Sequence, residues 1–459
     1  MNKRILAALS AAVMALSLPA CTSTQTQDTP AEDTSAVTAA DSTAAAAAEE
    51  TAVFTVPAFA ATPMRDIPAT EFVKELHVGW NLGNTLDATK DDPTGDETVT
   101  DWETAWGQPV TMKAHIDSVA AQGFDTLRLP VTWTGKFGDA PDYKIREDWL
   151  ARVKEIADYA LDNDMNVIIN CHHEDWNMPT EENLEKSSEI LTALWTQIAE
   201  YFKDYNEHLI FEGMNEPRLK GTPMEWNGGN EEARNIINIW NQTFVDTVRA
   251  TGGNNAHRML MVPTYAASSS DNVLADFTVP DDPQVIVSLH AYLPYAFALA
   301  EPDSAKDTWS ADNSSDTGDI DMLMAKLKDN FLDKGIPVII GEYGCRNRFN
   351  TDDRAACAGY YTARAAEYGI PVIWWDNNSF VQGEAFGLLD RSTLEWRYPS
   401  IISAIMDARD NTPVIFRAGD TPAEETASET APADDETEPS EDAPSETAPE
   451  DTAETESAA

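Results

Sequence analysis

Two glutamates, Glu216 and Glu342, have the residue type and the setting to carry out chemistry. Each lies at the end of a short apolar run, so each is expected where a β-strand ends. A pair of carboxyl groups can cleave a glycosidic bond, because one protonates the leaving oxygen while the other attacks the sugar or activates water on its far face. Asn215 beside Glu216 can bind a sugar hydroxyl, which favours Glu216 as the proton donor. Arg128 and Tyr292 offer hydrogen bonds that would keep Glu342 ionised.

Polar and charged residues also collect where the other apolar runs end. They are Arg128, the segment Cys171-His172-His173-Glu174, the pair Asn215-Glu216, His290 with Tyr292, Glu342, and the segment Trp374-Trp375-Asp376. Catalytic residues of parallel barrels stand at the C-terminal ends of the strands, so these side chains are expected to converge on one cleft. Six such groups on six different strands are hard to explain by packing alone.

Eight apolar runs alternate with amphipathic helical stretches and must position these residues. The runs are His77 to Gly83, Asp125 to Val131, Asn166 to Cys171, Leu209 to Asn215, Met259 to Thr264, Val285 to Tyr292, Pro337 to Gly344, and Pro371 to Asn377. Several are continuously apolar, as is typical of parallel strands covered on both faces. Eight strand–helix units predict an α/β fold, a (β/α)8 TIM barrel, over residues 62–417. A doubly wound open sheet is the alternative, and the count of eight weighs against it.

The residues at these positions resemble glycoside hydrolase family 5. The segments that carry the resemblance are Gly79-Trp80-Asn81-Leu82-Gly83-Asn84-Thr85-Leu86-Asp87, Arg128-Leu129-Pro130-Val131, Asn170-Cys171-His172-His173, Met214-Asn215-Glu216-Pro217, His290-Ala291-Tyr292, Ile340-Gly341-Glu342-Tyr343-Gly344 and Trp374-Trp375-Asp376-Asn377. The resemblance extends from about residue 66 to residue 408, and the first of these segments is similar to the endoglucanase-like branch. It implies a retaining, endo-acting enzyme for internal β-1,4-glucosidic bonds of cellulose or related β-glucans, with no cofactor.

The resemblance also implies a role for each site residue. Glu216 would be the general acid/base and Glu342 the nucleophile. The supporting residues would be Arg128, His172, Asn215, His290 and Tyr292, and the substrate-binding residues would be Asn84, His173 and Trp375. The two carboxyls of a retaining enzyme are expected about 5–5.5 Å apart. Glu216 is expected to be protonated in the free enzyme.

Three alternatives stay open at this point. A metal-dependent hydrolase would use His172, His173, Glu174 and Asp175, although neighbouring residues on a strand point to opposite faces and would not easily bind one ion, so no metal is expected. A sugar-binding protein that has lost catalysis would not need both glutamates. Mannanase, xylanase or xyloglucanase activity would use the same machinery with other sugar contacts.

Seven tryptophans fall at strand ends or in loops, where some should stack on sugar rings along an extended cleft. They are Trp80, Trp102, Trp106, Trp133, Trp176, Trp226 and Trp309. For each of them, packing in the core is at least an equal expectation. Long loops after the first, fourth and sixth strands favour an open groove and endo cleavage.

The charge of the chain excludes some partners. The 459 residues carry a formal net charge of −48. Such an acidic surface repels nucleic acid and anionic lipid headgroups, so neither is expected as a partner. An uncharged polysaccharide, a β-glucan, fits better, and a monomer is expected.

The ends of the chain predict export and anchoring. Lys3 and Arg4 precede an apolar run that is too short to span a bilayer, and the run ends in Leu18-Pro19-Ala20-Cys21, which resembles the lipobox of bacterial lipoproteins. Residues 1–21 are therefore expected to be a signal peptide and Cys21 the lipid anchor, the only membrane contact; an ordinary secretory signal is the alternative. Residues 22–61 are expected to be a disordered linker and residues 418–459 an acidic low-complexity tail.

The remaining cysteines cannot make a disulfide-stapled scaffold. Without Cys21 the chain has Cys171, Cys345 and Cys357, an odd number, so at most one bridge can form within it. Cys345 and Cys357 could pair, or all three could be buried thiols.

Overall fold

Eight parallel strands close into a barrel in the computed structural model, which describes residues 54–381 and 383–420. The strands are β1 (Val78–Leu82), β2 (Thr126–Leu129), β3 (Asn166–Asn170), β4 (Leu209–Glu212), β5 (Leu260–Pro263), β6 (Val285–His290), β7 (Val338–Tyr343) and β8 (Val372–Asp376). Each strand pairs with the next along the chain, and β1 also pairs with β8 in parallel. The predicted (β/α)8 barrel is confirmed, and the open sheet is excluded because β8 closes on β1.

Helices surround the barrel and fill its connections. They are α1 (Ala69–Phe72), α2 (Val99–Glu103), α3 (Lys113–Ala121), α4 (Glu147–Leu161), α5 (Glu181–Tyr201), α6 (Glu231–Ala250), α7 (Asp271–Asp276), α8 (Tyr295–Ala298), α9 (Ser314–Asn330), α10 (Thr351–Glu367) and α11 (Pro399–Asn411). A short antiparallel hairpin, β9 (Leu389–Asp390) and β10 (Glu395–Trp396), follows β8. No helix in the two described ranges is both long and apolar enough to cross a membrane.

Helix α6 shows how the local sequence sets these elements. Asn230 caps its start, since the side-chain Oδ1 accepts a hydrogen bond from the backbone N–H of Ala233 at 2.8 Å, and acidic residues occupy the first turn, where they complement the helix dipole. Its buried apolar residues recur every three or four positions and face the barrel: Ile236, Ile237, Trp240, Phe244 and Val248.

The inside of the barrel is apolar at the N-terminal ends of the strands. One inward residue of each of six strands contributes to this cluster: Ile168, Ile210, Met261, Ile286, Ile339 and Ile373. Helix α1 and the turn after it add Phe72, Val73 and Leu76, which close the barrel from below. With the lower end filled by hydrocarbon, the polar chemistry is confined to the upper, C-terminal end of the strands.

Strands β6 and β7 change register near their ends, and this irregularity aims Glu342 into the barrel. Leu289 pairs with Ile340, but the next residue, His290, pairs with Glu342. Gly341 also faces inward, because a Cβ added there would lie 3.2 Å from Nε2 of His290. A regular strand alternates its side chains, so two successive inward residues require such a bulge. Glycine is the residue that fits at the first of the two positions.

The structured domain begins before the predicted boundary at residue 62. Ala60 is fully buried, its carbonyl accepts a hydrogen bond from the backbone N–H of Asn206 at 2.9 Å, and the ring of Phe59 stacks on His208. The apolar residues between positions 56 and 60 explain this packing, which a count of small and acidic residues overlooked. The described chain likewise continues to residue 420, with Ala418 buried. The predicted signal peptide, Cys21, most of the linker and most of the tail lie outside the described residues.

Candidate active site

Arg128 is the centre of a buried hydrogen-bond network at the upper end of the barrel. Its guanidinium donates to Glu342 Oε1 at 2.7 Å, to Asn215 Oδ1 at 2.6 Å and to Glu212 Oε2 at 2.9 Å. Burial lowers the pKa of Arg128, but the two carboxylates outweigh burial and raise it, so the guanidinium keeps its charge. Two of these partners lie at the end of β4 and the third lies on β7, so one side chain fixes groups from both strands.

Glu342 is held by donors on both of its oxygens. Besides Arg128, which binds Oε1, the hydroxyl of Tyr292 donates to Oε2 at 2.8 Å. Burial and the charge of Glu342 raise the pKa of Tyr292 well above its usual value, so the phenol remains protonated and can only donate. These contacts fix the direction of the carboxylate with the two donors that the sequence predicts for a nucleophile.

Glu216 forms a close pair with His290. Oε1 of Glu216 lies 2.9 Å from Nδ1 of His290, and the same nitrogen is 3.6 Å from Oε2 of Glu342. Oxygens of the two glutamates and a nitrogen of His290 all lie within 4.8 Å of one another. An oxygen-to-oxygen approach of 4.8 Å or less agrees with the carboxyl separation of retaining glycosidases, about 5–5.5 Å, rather than with the about 6.5–9.5 Å of inverting ones.

The direction of the Glu216 pKa runs against the expectation that Glu216 is protonated in the free enzyme. Burial raises the pKa of Glu216, but the hydrogen bond and charge of His290, helped by Arg218 and His173, outweigh it and lower the pKa below its ordinary value. His290 is therefore the main partner that opposes the effect of burial on the Glu216 carboxyl. The sequence could not show this, because the two residues are 74 positions apart.

His172 and Asn215 are oriented by neighbours behind them. The amide Nδ2 of Asn170 lies 3.1 Å from Nδ1 of His172, which leaves the Nε2 hydrogen directed away from this contact. Asn215 uses Oδ1 to accept from Arg128, so its Nδ2 group is free to donate to a ligand. Burial lowers the pKa of His172 well below its usual value, so this imidazole is neutral at pH 7.

His172 and His173 both line the cleft, contrary to the argument that neighbouring strand residues diverge. Strand β3 ends at Asn170, so the alternation no longer applies at positions 172 and 173, and their rings lie 4.4 Å apart. Their nitrogens and a carboxyl oxygen of Asp87 lie within 4.8 Å of one another. Asp87 is occupied otherwise, since it accepts hydrogen bonds from the backbone N–H groups of Asn84 and Thr85 and so holds the turn after β1.

The cleft above the pair has a volume of about 920 Å³, and the three predicted substrate-binding residues, Asn84, His173 and Trp375, all line it. Trp375 lies parallel to the ring of His172, with the centroids 5.9 Å apart. Gly83 makes room for this ring, because a Cβ there would lie 2.8 Å from it. Trp375 can therefore present a flat apolar face to a sugar, as the sequence predicts.

Of the seven other tryptophans, two line the cleft. Trp106 and Trp226 are 40% and 62% exposed there. The other five are buried and pack in the core: Trp80, Trp102, Trp133, Trp176 and Trp309. Trp80, for example, donates its Nε1 hydrogen to Asp376 at 3.0 Å. Their positions at strand ends and in loops predicted a place in the cleft equally for all seven tryptophans. Burial in the structure distinguishes the two that line the cleft from the five that pack in the core.

The sequence analysis missed Glu212, which lies behind Arg128 on β4. Its Oε1 accepts from the hydroxyl of Ser288 at 2.5 Å, and its Oε2 accepts from Arg128 and from Asn170. Alternation along β4 could have revealed it, since Glu212 lies two positions after the inward residue Ile210 and so shares its face. A lone carboxylate inside a barrel requires a cation, and Arg128 is that cation.

Arg218 was also missed, although it stands only two residues after Glu216. Its guanidinium lies 3.5 Å from Oε2 of Glu216 and 3.1 Å from Oε1 of Glu225. The ring of Trp226 covers it, with the guanidinium carbon 4.1 Å from the ring centroid. This stack connects the candidate acid to the most exposed aromatic side chain of the cleft.

A TIM barrel that presents two carboxyls at the ends of β4 and β7, at the spacing for double displacement and in a cleft with a tryptophan platform, defines a retaining glycosidase. Comparison with known proteins gives the family. The sequence model described as cellulase (glycosyl hydrolase family 5) matches residues 88–381. The chain belongs to this family and is an enzyme of the endoglucanase type.

Similar proteins extend the match to the whole barrel. Endoglucanase A of Ruminococcus albus is 50% identical over 349 residues, which are 75% of this chain and 93% of the relative. A solved structure described as a GH5-4 broad specificity endoglucanase from Ruminococcus champanellensis with bound cellotriose is 50% identical, with a TM-score of 0.73, over 75% of this chain and all of that one. A GH5 family lichenase from Caldicellulosiruptor sp. F32 is 45% identical, with a TM-score of 0.72, over 76% of this chain and 97% of the lichenase. These relatives favour a glycosidase over a metal-dependent hydrolase.

Proposed function

We propose that this enzyme hydrolyses internal β-1,4-glucosidic bonds of β-glucans by double displacement, with Glu342 as nucleophile and Glu216 as general acid/base. The observation that carries the proposal is the arrangement of the two carboxyls around His290, within 4.8 Å of one another, at the base of an open cleft. Arg128 and Tyr292 donate hydrogen bonds to Glu342, while Nδ1 of His290 lies 2.9 Å from Oε1 of Glu216.

In the first step Glu342 attacks the anomeric carbon and the bond to the departing glycosidic oxygen breaks. The departing oxygen takes its proton from the carboxyl of Glu216. A sugar that fills the cleft displaces water, and a drier site raises the pKa of a buried carboxyl. Substrate binding therefore favours the protonated form of Glu216, from which the leaving oxygen can receive the proton.

In the second step water hydrolyses the ester between Glu342 and the sugar. Glu216, now without its proton, accepts one from the attacking water, and its protonated carboxyl is restored. The anomeric carbon is inverted twice, so the released sugar keeps the β configuration. The Nδ2 group of Asn215 is free to donate to a hydroxyl of the reacting sugar, and Trp375 supports its face.

A polymeric β-glucan is the substrate that the cleft suits best. Exposed Trp106 and Trp226 lie with Trp375 along the same cleft, which gives aromatic contacts for several sugar units. Relatives described as broad specificity endoglucanases and as a lichenase support activity on more than one β-glucan. Mannan, xylan and xyloglucan remain the comparison substrates.

A panel of carboxymethylcellulose, lichenan, xyloglucan, glucomannan and xylan tests the proposal. We expect viscosity to fall long before reducing ends accumulate, which marks internal cleavage, with β-glucans hydrolysed fastest. Proton NMR should show the β anomer as the first product. A first product in the α form, or a clear preference for xylan, would contradict the mechanism or the substrate class respectively. The Glu342→Gln variant is the matched control.

We also propose that the enzyme works outside the cytoplasm as a monomeric lipoprotein. The support is the sequence of the leader, with Lys3 and Arg4 before an apolar run that ends at Cys21, and the acidic stretch before the barrel. Expression of the full chain in a bacterial host, followed by membrane fractionation and mass spectrometry of the mature N-terminus, tests it. Cys21→Ser should release the protein from the membrane fraction. Retention of that variant would contradict lipid anchoring. Light scattering gives the mass of the enzyme in solution and so tests whether it is a monomer.

A further inference from the structure

Two cysteines meet beside the candidate active site. Cys345 follows β7, three positions after Glu342, and Cys357 lies in α10. Their Sγ atoms are 3.4 Å apart, and both side chains are buried, at 3% and 0% exposure. The third described cysteine, Cys171, lies after β3 on another side of the barrel and is also buried. All three are thiols in this structure.

We propose that Cys345 and Cys357 form a disulfide bond. The sulfurs need to approach from 3.4 Å to a bond length of about 2.05 Å. The Nε hydrogen of Arg354, one turn before Cys357, binds the carbonyl of Cys345 at 3.0 Å. This contact holds the segment after β7 against α10, so the two thiols are kept close together.

The reaction requires an external oxidant, for which a small-molecule disulfide suffices. Thiol–disulfide exchange breaks the external S–S bond and forms the Cys345–Cys357 bond, and the two protons and two electrons from the thiols leave as two reduced external thiols. Burial raises the pKa of Cys357 well above its usual value, so attack in the folded protein is slow and the bond is expected to form while the chain folds. The proposed export would place the chain where such bonds persist.

The bond would fasten one wall of the cleft to α10. Arg346, next to Cys345, lines the cleft and forms ion pairs with Glu301 at 3.3 Å and Glu384 at 2.9 Å. Its backbone N–H also binds the carbonyl of Ala298 at 3.0 Å. These contacts join the segment after β7 to the loops after β6 and β8. A disulfide at Cys345 thus stabilises three connections of the upper barrel without touching the reacting groups.

Peptide mapping of the full chain tests the proposal directly. The protein is refolded in a buffer of oxidised and reduced glutathione, alkylated under denaturing conditions and digested without reduction. We expect a peptide pair that joins Cys345 to Cys357 and disappears after reduction, while Cys171 is alkylated. Both cysteines alkylated, or each carrying glutathione, would overturn the proposal.

Thermal unfolding gives a second measurement. Closing a short loop stabilises the folded protein mainly through the unfolded chain, so reduction should lower the Tm by about 2–4 °C. The Cys345→Ala/Cys357→Ala variant should show no such redox dependence, whereas the matched control Cys171→Ser should keep all of it. A Tm that responds to reduction equally in the double variant would assign the effect to other thiols and contradict the proposal.

Discussion

Replacement of Glu216 by glutamine removes the proposed proton donor and preserves the shape of the side chain next to His290. General acid–base catalysis contributes about 10²–10⁴-fold to a rate, which corresponds to about 2.7–5.4 kcal/mol of activation free energy. In this active site the carboxyl serves both steps, as acid and then as base. The loss of kcat on a β-glucan is therefore expected in the upper half of that range.

The assay compares substrates that differ in their need for a proton. A dinitrophenyl β-cellobioside has a leaving group that departs without protonation, so Glu342 can still form the covalent intermediate. Stopped-flow measurement should show a burst of about one dinitrophenolate per enzyme, followed by slow turnover, because the second step lacks its base. In Glu216→Ala, which leaves an open space, azide should restore turnover and yield the β-glycosyl azide.

A cleft carboxyl outside the pair is the control. Glu301→Gln should keep both activities, since Glu301 contacts Arg346 and lies away from the reacting groups. The same loss on the glucan and on the aryl substrate, with no burst and no rescue by azide, would refute the assignment of Glu216 as the acid.

Three further predictions follow from the contacts. Glu342→Gln should abolish turnover and leave circular dichroism and the Tm nearly unchanged; residual activity above about 10⁻³ of the parent enzyme would contradict its role as nucleophile. Arg218→Met removes the cation beneath Trp226, so KM for a polymer should rise several-fold while KM for an aryl cellobioside stays; equal changes would show that this stack does not contribute to polymer binding. Burial lowers the pKa of Lys136 to about 8, so the folded protein prefers the neutral amine. The free energy of unfolding, measured with urea, should therefore rise between about pH 8 and pH 10.5 by up to about 3 kcal/mol relative to Lys136→Met. The absence of a pH-dependent difference would show that Lys136 is solvated.

The fold was predictable because burial on both faces of the strands leaves an unambiguous pattern. Continuous apolar runs such as Val167 to Ile169 are typical of strands covered by helices and by the barrel interior, and the alternation of eight apolar runs with helical stretches predicts the architecture. The site was predictable for the same reason. Polar residues at the end of such a run are expected at the upper, C-terminal end of the barrel. Four of them are found there: Glu216, Glu342, Arg128 and Tyr292.

The remaining features depend on contacts between distant residues or on chain segments outside the strands. The bulge that turns Glu342 inward involves β6 as well as β7, and the Glu216–His290 pair joins strands far apart in sequence. His172 and His173 lie just past the end of β3, where alternation fails. Buried Trp80 donates its hydrogen bond to Asp376, 296 positions away. None of these features produces a periodic pattern in the local sequence.

The link between Glu212, Arg128 and Glu342 limits how this enzyme can evolve. The guanidinium that orients the attacking carboxylate is also the counter-ion of a carboxylate in the middle of the barrel. A substitution at Arg128 would leave two buried negative charges without a counter-ion. Loss of one partner of a buried pair typically destabilises a protein by about 3–5 kcal/mol. Adaptation to new sugars is thus expected to proceed through the loops that bear Trp106 and Trp226, while the central triad stays fixed in any descendant that still folds.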